Sequence, residues 1–66
     1  MINVGEVCTI NNILCVIYKI DDTIHTYNDC MYHGISFDGN IMIGNCPVFV
    51  CESLHGYLTK ALVRNL

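Results

Sequence analysis

Cysteine and histidine are the residues whose types and spacing bear on chemistry in this chain of 66 residues, which holds five Cys and three His. Cys30-x-x-His33 falls in a stretch that reads as loop, and Cys46, Cys51 and His55 follow it. Were Cys51 and His55 on one helix, their spacing of four would set both side chains on the same face. Four soft ligands drawn from Cys30, His33, Cys46, Cys51 and His55 would complete a zinc tetrahedron and add folding energy to a short domain. Against this, paired C-x-x-C knuckles are absent. Cys46 and Cys51 also bracket a strand, whose alternation sends the two thiols to opposite faces. Free cysteine commonly serves as a small buried hydrophobe in strands, and that reading assigns the chain no metal or other cofactor.

A nucleophilic pair of Cys30 with His33 or His55 lacks a third orienting residue and an oxyanion hole, so no catalytic residue is assigned and the chain reads as non-enzymatic. The five glycines stand singly, with no phosphate-cradling pattern. Asp21 and Asp22 are adjacent, point apart in extended chain, and mark a solvated turn instead of an acid–base pair. His25 reads as a surface or half-buried strand residue.

The elements that must position these side chains are mainly β. Val7-Cys8-Thr9-Ile10 and the apolar run over 13–20 flank Asn11-Asn12, two residues that tolerate positive φ. That pattern predicts a hairpin on a two-residue type I′ turn, its second strand central in a small sheet. Gly5 is a bend before the first strand. Residues 23–27 alternate and predict a third strand, while 30–37 read as a loop with a short strand at 34–37. Asp38-Gly39-Asn40 predicts a turn into Ile41-Met42-Ile43, and Pro47 introduces a last strand at Val48-Phe49-Val50-Cys51. Beyond it, Leu54, Leu58, Leu62 and Leu66 recur every four residues behind Ser53, a good N-cap, with Lys60 and Arg64 near the end. This predicts a helix from about 53 or 57; Gly56 opposes it, and the competing reading is a closing strand over 57–63. The sum is one domain over 1–66: a small barrel or bent antiparallel meander of about five strands with a short C-terminal helix.

Composition narrows the partners. The chain is 53% hydrophobic and only 14% charged, with net charge −3. So short a domain cannot hide that much apolar surface, so some of it is expected to meet another protein, a second copy or a target. Between Lys19 and Lys60 there is no Lys or Arg, while Asp21, Asp22, Asp29, Asp38 and Glu52 lie in that interval. This pattern argues against nucleic acid and against acidic membrane surfaces. No leader is visible, the longest apolar run is far short of a membrane span, and an odd cysteine count argues against a disulfide scaffold. A reducing cytoplasm is the expected location. Tyr27, Asp29, Tyr32, Phe37 and Asp38 form the expected binding segment, aromatics among carboxylates facing a basic protein partner. Leu58, Leu62 and Leu66 are the expected self-association stripe if the helix is left uncovered, giving a homo-oligomer.

Val4-Gly5-Glu6-Val7-Cys8-Thr9-Ile10, a tight turn and a long apolar strand ending in Asp-Asp resemble the first hairpin of SH3-like β-barrels, over the first third of the chain. The acidic-aromatic peptide-binding loop of signalling SH3 domains is not present, so polyproline recognition does not carry over. In size and composition the chain is similar to the accessory proteins of phages and other mobile elements, which act by binding a host protein. The resemblance implies a non-enzymatic accessory or inhibitory protein. A zinc-stabilised domain and a self-associating structural subunit are the other classes.

Overall fold

A computed structural model describes residues 2–22 and 30–64. Five strands and one helix follow in order: β1 (Val7–Ile10), β2 (Ile13–Asp21), β3 (Met31–Ser36), β4 (Ile41–Gly44), β5 (Val48–Cys51) and α1 (Leu54–Arg64). The strands form one antiparallel sheet in the order β4-β3-β2-β1-β5, with β4 and β5 as its two edges. The sheet is therefore open. The expected strand over 23–27 lies outside the described residues.

Local chemistry explains each turn. Asn11 and Asn12 both hold positive φ, 53° and 66°, as a type I′ turn demands, and Ile10 faces Ile13 across it. Gly5, at φ 92°, ends a turn closed by the Glu6 N–H donating to the Asn3 carbonyl at 3.2 Å. Its own N–H donates to the Ile17 carbonyl at 2.7 Å while the Ile17 N–H donates to the Glu6 carbonyl at 3.0 Å, so two residues oppose one. This is a glycine bulge, which increases the twist of the hairpin. The β3–β4 loop repeats the device. Gly39, at φ 91°, follows a tight turn in which the Gly39 N–H donates to the Ser36 carbonyl at 3.0 Å. The buried Ser36 hydroxyl donates to Asp38 and accepts the Asn40 N–H at 3.0 Å, pinning the loop.

The stretch 30–37, expected to be mostly loop, is a full central strand. Tyr32, Gly34 and Ser36 line its inner face and His33 and Ile35 its outer face, as the register with β2 and β4 requires. Mixed polar and aromatic residues hid the alternation. The tail is a helix, which overturns the closing-strand alternative: the Ser53 hydroxyl accepts the Gly56 N–H at 3.0 Å and the Ser53 carbonyl accepts the Tyr57 N–H at 3.0 Å, an N-cap that starts α1.

The core is small. Cys8, Ile10, Cys15 and Ile17 are buried on the inner face of the β1–β2 hairpin, with Ile2, Ile20, Tyr32 and Met42 packed against them. Curvature brings distant strands together over this face. A side chain on Gly34 would place its Cβ 2.6 Å from the Cys15 Sγ, and one on Gly44 would stand 2.7 Å from the Ile10 Cγ2. Both glycines mark close approach of inner-face residues, β4 leaning over β1 in the second case.

Replacing Gly34 or Gly44 by Ala is expected to destabilise the protein by about 1–3 kcal/mol through overpacking, read from urea melts. Cys15→Ala in the Gly34→Ala background removes the sulfur contact and should recover part of the loss. Gly56 is the opposite case, because an added Cβ meets only the Ser53 Oγ at 3.6 Å and the Cys51 Sγ at 4.0 Å. Gly56→Ala should stabilise by about 0.5–1 kcal/mol through helix propensity.

Candidate functional site

The Cys/His residues do not converge on one site, although Cys51 and His55 line a common concavity with Glu52 and Lys60. Cys30 immediately precedes β3, so an extended chain carries His33 roughly 10 Å away along the strand. His33 sits on the outer face, its ring edge-on to Tyr18 with centroids 6.1 Å apart. Cys46 is exposed in the link between β4 and β5. Cys51 ends β5, buried, and its thiol donates to the Ser53 carbonyl at 3.0 Å. It lies outside α1, so it shares no helix face with the exposed His55. Among the described residues no three His, Cys, Asp or Glu side chains are grouped to hold a metal.

The pairing that spacing alone did not single out is Cys8 with Cys15. These are direct cross-strand partners, both 0% exposed and both free thiols. Burial pushes both thiols up from the ordinary value of 9.0; at Cys8 the neighbouring Cys15, Glu6 and Cys51 add to it, and hydrogen bonding with the Val50 backbone opposes it. A buried thiol held protonated is a poor nucleophile. Beside Gly34 these sulfurs act as small apolar filler where the strands crowd.

The expected binding segment is also dispersed. Tyr32 points to the inner face and packs against the core, whereas Phe37 lies in the β3–β4 loop at the other end of the strand, about 17 Å away along extended chain. Phe37 stacks on Tyr57 of α1 with centroids 5.6 Å apart. Asp38 is exposed, but its carboxylate is engaged in the turn by Ser36 and by the Asn40 side-chain amide at 3.2 Å. Tyr27 and Asp29 lie outside the described residues, as does Leu66. Leu58 and Leu62 stand out from α1, which has no buried residue.

Apolar surface gathers elsewhere, on the outer face of β2, β3 and β4. The register sets Val16 opposite Ile35, Ile35 opposite Ile41, and His33 opposite Ile43. Ile41 and Ile43 are 56% and 51% exposed, and Ile35 and Tyr18 are exposed beside them. Cross-strand neighbours stand about 5 Å apart, so these form one continuous patch. Only the pairing of β3 with both neighbours assembles the patch, and that pairing is not written in the residues of any one strand.

No helix among the described residues is long and apolar enough to cross a membrane. No protein family matches the chain, and no curated protein or solved structure is significantly similar to it.

The raised thiol values give a pH dependence. The folded state holds the protons of Cys8 and Cys15 more tightly than the unfolded chain does, so their contribution is complete below the ordinary thiol value and is lost as pH rises past it. Thermal melts between pH 7 and pH 10 should show stability falling through the thiol range. A Cys8→Ala, Cys15→Ala variant should show a flatter profile despite a lower melting temperature at pH 7.

Proposed function

We propose that this protein is a non-enzymatic binding module that presents an apolar outer sheet face, set in an acidic body, to a basic protein partner. The observation that carries the reading is the exposed patch of Tyr18, Ile35, Ile41 and Ile43 with Val16 and His33, on the part of the outer face beyond the Phe37–Tyr57 contact with α1. Residues 1–53 hold all six carboxylates and a single Lys, Lys19, which the register sets opposite His33 at the patch, so the net charge of this portion of the chain favours a cationic partner and speeds the encounter. Phe37 and Asp38 would lie at its margin. The finer reading of the fold is a small SH3-like barrel, supported by a four-strand meander with β5 returned beside β1. With free thiols in a reducing cytoplasm, this suits an accessory or inhibitory protein of the kind phages encode.

A second reading, self-association as a structural subunit, draws on α1, where Leu58 is 51% and Leu62 68% exposed. Sedimentation velocity separates the two, since only self-association makes the Leu58→Gln, Leu62→Gln variant lighter than the wild type.

For the leading reading, immobilised wild-type protein should retain a basic protein from extract at low salt and release it as salt rises. An Ile41→Thr, Ile43→Thr variant keeps strand propensity and should melt within a few degrees of wild type, yet bind the retained protein roughly tenfold more weakly. Equal binding by the folded variant would reject the outer face as the site.

A further inference from the structure

Two of the chain's three basic side chains line a single groove. It runs between α1 and β5, has a volume of about 270 Å³, and is lined by Val50, Tyr57, Lys60, Ala61 and Arg64. The four helix residues stand at i, i+3, i+4 and i+7, which is one helical face. Val50, Ala61 and the Tyr57 ring bring apolar surface to the lining, and Lys60, Arg64 and the Tyr57 hydroxyl bring polar groups. No lining residue is acidic, and α1 contains no Asp or Glu to pair with either cation.

The lining of this groove is one-sided in charge, although Lys60 also borders a second concavity that holds Glu52. Lys60 and Arg64 are one helical turn apart, where like charges repel. The helix dipole favours cations near a C-terminus but does not require both to border the same concavity. A negative group held between them relieves the repulsion, and Arg adds bidentate geometry for a carboxylate. The volume lies just below that of drug-sized pockets, so the groove accepts one apolar group of amino-acid size and not an extended ligand.

We propose that this groove captures the C-terminal residue of a partner peptide, its apolar side chain on Val50, Ala61 and Tyr57 and its free carboxylate between Lys60 and Arg64. A chain end supplies both parts in one residue, the apolar group and the anion one carbon apart. The surface is distinct from the outer sheet face and opposite to it in sign, so the two engage different features of a partner.

The test is an amide-resolved NMR titration of the full chain with the peptide acetyl-Ala-Ala-Leu bearing a free carboxylate, beside the same peptide with a C-terminal amide. Saturable shifts at Val50, Tyr57, Ala61 and Arg64 are expected with the acid, and binding roughly tenfold weaker with the amide, which lacks the charge-assisted contacts. A Lys60→Gln, Arg64→Gln variant with otherwise unchanged spectrum should lose the difference between the two peptides. Equal shifts from acid and amide, shifts centred elsewhere, or none in the millimolar range would overturn the proposal. So would hexanoate binding as tightly as the acid peptide, since the groove would then recognise a free small acid.

Discussion

The link Asn45-Cys46-Pro47 constrains the whole fold. It joins β4 to β5, the two opposite edges of the sheet. In a flat five-stranded sheet those edges would lie about 19 Å apart, four strand spacings. From Gly44 to Val48 there are only four Cα steps, which reach at most about 15 Å. The sheet must roll, and the glycine bulges at Gly5 and Gly39 and the register shift between Ile17 and Lys19 supply local twist for it. Rolling has two consequences. On the inner face it crowds Gly34 against Cys15 and Gly44 against Ile10, which is why the interior admits cysteines and glycines. On the outer face it splays the side chains of β2, β3 and β4 outward, leaving isoleucines uncovered.

The same geometry explains what was legible in the sequence. Features fixed by a few adjacent residues were readable: the Asn11-Asn12 turn, the Asp38-Gly39 loop, the Ser53 cap, the helix and the last strand. The two-residue turn also fixes the hairpin register, so Cys8 opposite Cys15 follows from counting outward from Asn11 and Asn12. Features that depend on pairing across the sheet were not readable. Met31–Ser36 is a strand because β2 and β4 flank it, not because its residues favour extension. Tyr32 and Phe37 look adjacent in sequence, yet strand extension separates them and one turns inward. The Cys/His residues are kept from a single site for the same reason: a three-residue spacing can close on a loop, but Cys30 and His33 stand at the start of a strand, where it cannot.

Charge is divided as unevenly as apolarity. The sheet portion holds every carboxylate and the helix holds two of three cations. The two apolar surfaces therefore differ in electrical character: the outer sheet face belongs to the net-acidic portion of the chain, with Lys19 opposite His33, and the groove is lined by two cations.

The β1–β5 ladder has a further consequence. It joins the two ends of the chain, is short, and is broken by a register shift between Val7 and Cys8. The helix that follows contributes no buried residue. The meander β1 to β4 is built from consecutive neighbours, whereas this ladder closes the longest loop in the molecule and meets the largest closure entropy. The β1–β5 ladder is therefore the one whose closure costs most entropy. Were β5 to leave, β1 would be bared as a strand edge whose place matches β5 of a neighbouring copy, so the topology allows a domain-swapped exchange of β5 and α1.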